Sequence, residues 1–354
     1  MFRPNRPIAI IDAAELIAPA LRGLAGLLVV VVAAYGAGAL VFRGPRRTGL
    51  AWGLVGAWIT LAVLALAGLW RASWLAPFVF SLAGLVFLMW WARVLPKTDR
   101  EWAADVSRVF HVEHAGSRVT IHNVRDFEWR TREDFTESWV TRDYDIDTAC
   151  SVDLVLSYWA GPHIAHALVS FGFTDGRHLC FSVEVRRVVG GQFSALGGLF
   201  RQCELVVIAA EERDIVRTRA NVRGERVYLY RVAMPTDDIR ALLRSYLATG
   251  QALAEQPRFY NTLTANCTTL IYDMVAPIVP GVPWNWRLLV PGHLPAYLYR
   301  LNALASDLHL AQITQRGQIN AAARAWDQTE PAMRSSFSIA IREDIPVPRA
   351  ERIG

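Results

Sequence analysis

Cysteine and lysine are scarce in this sequence of 354 residues, and nucleic-acid-binding motifs are missing from it. Its four cysteines, Cys150, Cys180, Cys203 and Cys267, are isolated and form no C-x-x-C pair, which argues against a zinc site. The net charge of +5 comes almost entirely from arginine, without a lysine-rich tract or a nucleic-acid motif. We therefore expect no nucleic-acid partner, no metal and no other cofactor.

Charged residues are also missing from three long stretches of the first 95 residues. There are 20 uncharged residues between Arg22 and Arg43, 23 between Arg47 and Arg71, and 21 between Arg71 and Arg93. Each run is about as long as a helix that crosses a hydrocarbon core of roughly 30 Å. Tryptophans fall near the ends of the runs, where the membrane meets water. The pattern predicts a membrane anchor over residues 1–95, with transmembrane helices at about 23–42, 49–70 and 73–92.

The flanking charges bear on the orientation of this anchor. Six basic residues lie on the side that includes the globular part: Arg43, Arg46, Arg47, Arg93, Lys97 and Arg100. Four lie on the other side: Arg3, Arg6, Arg22 and Arg71. Taken alone, this count favours a cytoplasmic globular domain by a margin of two residues.

Beyond residue 98 the sequence has the texture of a globular α+β domain. Strand-like segments come first and helix-like segments follow, an order typical of that class. We expect the domain to span residues 98–343, the end from about residue 331 to be loosely ordered, and 344–354 to form a tail. The predicted strands are 118–129, 151–161, 166–187 as a hairpin, 203–210 and 227–234; the predicted helices are 236–256, one starting at Cys267, and 294–305.

Cys267 lies in an unusual setting for a thiol. Polar residues surround it in the stretch YNTLTANCTT, and an apolar helical pattern follows directly. Unpaired N–H groups and the helix dipole favour a thiolate at the first turn of a helix, whereas a structural cysteine usually has apolar neighbours. Cys267 is therefore a candidate nucleophile that needs a base.

The globular part offers eight histidines as candidate bases, and most of them are expected to be surface or packing residues. His166 differs because it begins an apolar strand of the predicted hairpin, although a satisfied core histidine fits the pattern too. The candidates are His111, His114, His122, His163, His166, His178, His293 and His309.

Glu184 is the candidate group for orienting His166. If Asp175 and Gly176 form a two-residue turn, His166 faces Val185 and lies beside Glu184, whereas a longer loop would place Glu184 directly opposite. A carboxylate in that position could hold the imidazole. The pattern fits equally well a solvent-side charge that pairs with Arg186 or Arg217.

Several motifs in fixed order resemble the Lnb N-terminal periplasmic domain family. They are SYWAGPHIAHALVSFGFTDG, SVEVRR, GLFRQCELVVIAAEERDIVRTRANVRGERVYLYR and PRFYNTLTANCTT, and VTIHNVRDFEWRTREDFTESW is similar to the segment that precedes them in membrane-anchored members. The resemblance implies a papain-like fold of the NlpC type in circularly permuted order, with an antiparallel sheet and a cysteine-bearing helix. It also implies Cys267 as nucleophile, His166 as base and a periplasmic domain, which we prefer to the small charge margin.

The resemblance further implies thiol-dependent acyl chemistry at the periplasmic face of the bacterial inner membrane. We expect Cys267 to attack an ester or amide carbonyl of a lipid or lipoprotein, with the bilayer as a further partner. Glu184 would orient His166, and backbone N–H groups, helped by Asn266 or Tyr260, would stabilise the oxyanion. Transfer to an amine and hydrolysis both remain open. The alternatives are a cysteine peptidase or amidase acting on cell-wall peptides, and a non-catalytic binding module that retains the fold.

Overall fold

The computed structural model describes residues 13–45, 48–304, 307–333 and 335–348. The chain divides into two compact units. One comprises Met1–Leu95 with Phe200–Gln202, and the other comprises Pro96–Leu199 with Cys203–Gly354.

Three helices form the first unit: α1 (Ala13–Arg43), α2 (Thr48–Trp70) and α3 (Leu75–Ala92). All three are long and apolar enough to cross a membrane. Large apolar side chains such as Leu27 and Leu88 are exposed along them, as expected of helices that face lipid. The Trp58 indole donates a hydrogen bond to the Ala33 carbonyl at 3.0 Å and joins α2 to α1. The three predicted apolar helices are therefore present, and α1 extends further toward the N-terminus than predicted.

The described part of the second unit contains ten strands and seven α-helices. The strands are β1 (His111–Ala115), β2 (Arg118–Arg125), β3 (Glu128–Trp129), β4 (Phe135–Thr136), β5 (Trp139–Asp145), β6 (Ala149–Ala160), β7 (Ile164–Phe173), β8 (His178–Arg186), β9 (Glu204–Ala210) and β10 (Arg226–Arg231). The helices are α4 (Glu212–Arg217), α5 (Thr236–Glu255), α6 (Cys267–Val275), α7 (Leu294–Arg300), α8 (Leu310–Gly317), α9 (Asn320–Gln328) and α10 (Phe337–Ala340). The α+β class is confirmed.

Eight strands form one sheet in the order β1-β2-β9-β8-β7-β6-β10, with β5 paired to β2. The neighbours are antiparallel except β2 and β9, which run parallel and pair at Arg125 and Ala210. The prediction of an antiparallel sheet is therefore wrong in this respect, because the sheet is mixed. β2 and β9 are far apart in sequence, so no turn between them fixes their relative direction.

The hairpin of β7 and β8 turns through a three-residue loop, which is the longer of the two alternatives considered for this turn. Phe173 donates its N–H to the Arg177 carbonyl, and Gly176 adopts φ +83° inside the loop. Glycine takes this left-handed conformation without a steric penalty. The extra residue shifts the register so that Leu168 faces Ser182. The same register, continued by two residues, places His166 opposite Glu184.

Helices cover both faces of the sheet. Apolar residues of α5, α6, α7 and α8 pack with one face, around Phe171, Phe181 and Tyr246. Residues of α4, α9 and α10 pack with the other face, around Leu168 and Val206. A π-helical turn at Thr218–Val222 continues α4 on this second face. The sheet therefore lies between two helical layers.

The C-terminal segment contributes to the second face, contrary to the expectation of a loosely ordered end from residue 331. Phe337, Ile341 and Ile345 are buried there. Arg342 donates hydrogen bonds to Asp153 and Glu212, two carboxylates with almost no exposed surface. Two buried negative charges require a cation beside them, and Arg342 supplies it.

Candidate active site

Helix α6 begins at Cys267 because Asn266 caps it. The Asn266 side-chain oxygen accepts hydrogen bonds from the N–H groups of Thr268 and Thr269, each at 2.9 Å. The Thr269 hydroxyl in turn accepts from the Asn266 N–H, which completes a capping box. Thr268 also donates its hydroxyl to the Leu288 carbonyl. The thiol is thus fixed at the first position of a rigid helix, where the dipole favours negative charge.

The Cys267 side chain meets strand β7 at two groups. Its thiol is hydrogen-bonded to the His166 imidazole and accepts a hydrogen bond from the backbone N–H of Ala167. Burial by itself would raise the pKa of the thiol, but the two hydrogen bonds and the positive charge of His166 lower that pKa below its usual value. Cys267 is therefore a buried thiol whose anionic form is stabilised by its neighbours.

Cys267 and His166 approach the sheet from opposite faces, and they meet where the pairing between β7 and β8 ends. Helix α6 packs against both strands on the face that holds Ala167 and Val183. His166 and Leu168 belong to the opposite face, because side chains alternate along a strand. The paired register of β7 and β8 ends at Leu168 and Ser182. Beyond that pair, the Ala167 N–H turns to the thiol instead of to β8.

His166 contacts a serine and a carboxylate on β8. Its Nε2 atom lies 2.7 Å from the Ser182 hydroxyl and 3.3 Å from Glu184 Oε1. Ser182 donates its hydroxyl to the same Glu184 oxygen at 2.7 Å, so Ser182 accepts from Nε2–H. The other ring nitrogen of His166, Nδ1, is therefore the one that forms the hydrogen bond with the Cys267 thiol. Burial opposes a charge on the imidazole, but the Glu184 carboxylate outweighs it and the pKa of His166 rises to about 9.

Arg219 holds Glu184 from the opposite side. Its Nη2 atom donates to Glu184 Oε1 at 2.8 Å, and its Nη1 atom lies 3.6 Å from Glu225. Burial would raise the pKa of Glu184, but His166 and Arg219 hold that pKa well below its usual range. The four groups therefore form a charged relay in the order Cys267, His166, Glu184 and Arg219, with Ser182 bridging the second and third.

The two residues proposed to support the site have different surroundings. Asn266 donates one N–H of its amide to the Thr262 carbonyl at 2.8 Å, and its side-chain oxygen caps α6, so both ends of the side chain take part in the start of the helix. Tyr260 is half-buried, with its ring against Phe193, and Cys267 is close enough to contribute to the raised pKa of its hydroxyl after burial. Tyr260 therefore fits the donor role and Asn266 fits the role of a cap.

Ser182 and Arg219 were not among the residues expected at the site. Ser182 stands two positions before Glu184 on the same strand, so strand periodicity places both side chains on one face. Arg219 lies on the π-helical turn, and nothing in the sequence signals that turn. The structure also pairs Glu184 with Arg219 rather than with the expected Arg186 or Arg217.

Exposed apolar side chains are concentrated on the chain segments that adjoin the site residues. Most of the large exposed apolar residues of the second unit lie on the segments that carry or adjoin Cys267, His166 and Glu184. They occur at the end of β6, at the start of β7, after β8 and on both sides of α6. These residues are Trp159, Ile164, Val189, Phe193, Leu196, Leu263, Trp284 and Trp286.

Within the described part of the chain, one group of side chains has a spacing suited to a metal ion. It consists of His111, Glu113 and His122, on β1 and β2. None of the relay residues belongs to this group.

The fold and the site define a class of protein: an α+β domain with a thiol–imidazole pair, preceded by three apolar helices that suggest insertion in a membrane. Residues 135–292 match the family described as the Lnb N-terminal periplasmic domain. This match confirms the resemblance recognised from the motifs. The match includes Cys267, His166 and Glu184. No curated protein and no solved structure matches the chain.

Proposed function

We propose that this protein is a membrane-anchored, thiol-dependent enzyme that transfers or hydrolyses an acyl group of a lipid or lipoprotein. It would act at the periplasmic face of the bacterial inner membrane, with the three apolar helices as a multi-pass anchor. The hydrogen-bonded chain of Cys267, His166, Ser182 and Glu184 carries the proposal, because it supplies a nucleophile, a base and a group that orients the base.

The fold is proposed to be papain-like, of the NlpC type, in permuted order. This is supported by a cysteine at the first turn of a helix that packs against a central sheet, with the histidine on a neighbouring strand. The strand of His166 precedes the helix of Cys267 in the chain, which is the permuted order.

The first chemical step is attack of the Cys267 thiolate on the acyl carbonyl. A sulfur–carbon bond forms, and the bond from the carbonyl carbon to the leaving oxygen or nitrogen breaks. His166 holds the thiol proton on Nδ1 and delivers it to the leaving group. The pKa of about 9 keeps the imidazole charged near neutral pH, and Glu184 stabilises that charge. The product of this step is an acyl-cysteine.

Two donors are proposed for the oxyanion. The Asn266 side-chain oxygen accepts hydrogen bonds from the N–H groups of Thr268 and Thr269. The N–H of Cys267, next to the sulfur, is the first donor that we propose. The Tyr260 hydroxyl is the second donor. Such groups act strongly because they are oriented before the charge develops.

The acyl-cysteine is resolved when an amine or a water molecule attacks its carbonyl and His166 takes the proton of the attacking group. An amine gives acyl transfer and water gives hydrolysis. The exposed apolar side chains on the segments that adjoin the site residues favour a lipid acyl chain over a polar peptide, since such patches mark binding surfaces for apolar partners. The anchor keeps the domain beside membrane lipids.

The acyl-cysteine itself provides the test. The full-length protein in detergent is incubated with a diacyl phospholipid or a diacylated lipopeptide, and its intact mass is measured. We expect a mass increase of one acyl chain on Cys267 that hydroxylamine removes. Cys267→Ala should abolish it and His166→Ala should reduce it strongly, whereas Cys150→Ala should retain it.

Other results would contradict the proposal. If the protein cleaves cell-wall peptides in a Cys267-dependent manner and no lipid acylates it, its function is that of a cysteine peptidase or amidase. If no substrate of either kind reacts, the domain is a binding module.

A further inference from the structure

The outer surface of strands β1, β2 and β5 carries a compact group of potential metal ligands. His111 and Glu113 are two residues apart on β1, so their side chains project from the same face. His122 on β2 pairs directly with His111 across the ladder. The register of two neighbouring strands therefore places two imidazoles and one carboxylate together, outside the relay of Cys267 and His166.

The distances within this group suit one small cation. The ligand atoms of His111, Glu113 and His122 lie within 4.8 Å of one another. His122 Nε2 is 3.1 Å from Glu113 Oε1, and the two imidazole rings stack with centroids 4.4 Å apart. Tetrahedral zinc, with bonds of about 2.0–2.2 Å, separates its ligand atoms by about 3.4 Å. Small rotations of exposed side chains would close the remaining gap.

A neighbouring hydroxyl can orient one of the ligands. Thr141 Oγ1 on β5 lies 3.2 Å from His122 Nδ1. When Nδ1 donates its hydrogen to this oxygen, the Nε2 lone pair points toward Glu113 and is available to a metal. Histidine ligands in metalloproteins characteristically donate their second ring N–H to such a partner.

From this geometry we propose that His111, Glu113 and His122 form a binding site for one Zn²⁺ or a similar divalent transition metal. Two imidazoles and one carboxylate suit borderline metals, whereas Mg²⁺ and Ca²⁺ prefer sites built from oxygen alone. Water completes the tetrahedron, because the site faces solvent. The bound ion replaces the contact between His122 and Glu113 and ties β1 to β2.

Zinc titration of the detergent-solubilised full-length protein against a chromophoric chelator tests the site. We expect one zinc per chain, and His111→Ala or His122→Ala to weaken binding by more than about 100-fold. Thr141→Val removes an outer partner only and should cost about 10-fold. His114→Ala is the matched control, since it changes an exposed histidine of the same strand whose side chain projects from the other face. This control should bind zinc as the wild type does.

Two further measurements separate this site from the thiol of Cys267. Cys267→Ala should keep the stoichiometry, and bound Co²⁺ should give a tetrahedral spectrum without a thiolate charge-transfer band. Zinc should also raise the melting temperature of the wild type but not of His111→Ala. The proposal is overturned if binding disappears with Cys267→Ala, or if His114→Ala weakens it as much as His122→Ala does.

Discussion

Glu184 accepts hydrogen bonds from Ser182 and Arg219 and faces the His166 imidazole at 3.3 Å. Three positive or hydrogen-donating groups around one carboxylate keep it ionised throughout the pH range in which enzymes usually work. The ionised carboxylate then stabilises the imidazolium against the cost of burial. The charge state of Cys267 therefore depends on a residue that it does not touch.

Replacement of Glu184 by glutamine should reverse this effect. The substitution removes the negative charge, so the pKa of His166 should fall from about 9 toward the ordinary histidine value of about 6.5. NMR titration of ring-labelled histidine, assigned with His166→Ala, measures the change. Glu137→Gln alters an exposed carboxylate and should leave the pKa of His166 as it is. An unchanged His166 pKa in Glu184→Gln would show that the carboxylate does not set it.

The sequence identified part of this relay and missed the rest for a physical reason. Cys267, His166 and Glu184 stand out by chemistry and by position within a strand or a helix. Arg219 reaches Glu184 from a π-helical turn about 35 residues further along the chain, and no local pattern predicts that approach. Ser182 could have been predicted from the sequence, because strand periodicity places its side chain beside that of Glu184.

At the scale of the secondary-structure element, helix α6 depends on its cap. Asn266 is the N-cap residue and also donates to the loop carbonyl of Thr262. Its side chain therefore fixes both the start of the helix and the approach of the loop that carries Tyr260. The position of the sulfur relative to His166 follows from this cap.

Asn266→Ala should destabilise the second unit by about 1 kcal/mol, because two N–H groups lose their acceptor. It should also slow alkylation of Cys267, since the first turn frays. Asn266→Asp restores the acceptor and should recover most of the stability. Urea unfolding and alkylation rates at one pH measure both effects. Equal stability of Asn266→Ala and wild type would argue against the capping role.

The hairpin of β7 and β8 shows what local sequence can and cannot fix. Asp175 and Gly176 mark a turn, and the turn is there. Its length is three residues rather than two, and this single residue decides whether Glu184 or Val185 faces His166. Turn length is set by how both strands pack in the sheet, which the turn residues alone do not encode.

At the scale of the whole molecule, the C-terminal segment stabilises the fold through Arg342. Arg342 pairs with Glu212 on α4 and with Asp153 on β6, so it joins distant parts of the chain. Burial would raise the pKa of Glu212, but Arg342 lowers it to about 2. The ordinary value is about 4.3, so the pair contributes fully above that pH, and its contribution is lost as the pH falls through 2.

Arg342→Met should destabilise the second unit by about 3–5 kcal/mol, because the buried Glu212 carboxylate loses its ion-pair partner, whereas Asp153 keeps Arg231. Hydrogen exchange of peptides from β6 and α10, in the full-length protein with increasing urea, measures the loss. Arg316→Met changes an exposed arginine on α8 and should have little effect. A loss in Arg342→Met no larger than in Arg316→Met would contradict the structural role of Arg342.

The three apolar helices and the sheet differ in how far the sequence reveals them. Runs of uncharged residues show the three helices directly, because composition alone decides whether a segment suits lipid. The sheet order joins β2 to β9 and brings β5 against β2, pairings that no local pattern specifies. The packing of residues 337–345 depends likewise on buried carboxylates elsewhere in the chain, which a polar segment does not reveal by itself.

The thiol–imidazole pair is the central claim, and the alkylation rate of Cys267 against pH tests it most directly. Mass spectrometry follows the reaction in the full-length wild type and in His166→Ala, with His309→Ala as a control at an exposed histidine. The hydrogen bond and charge of His166 lower the pKa of the thiol. We therefore predict reaction at lower pH in wild type and control than in His166→Ala, whose profile should shift toward the ordinary thiol value of about 8.5. Coincident profiles of wild type and His166→Ala would contradict the account.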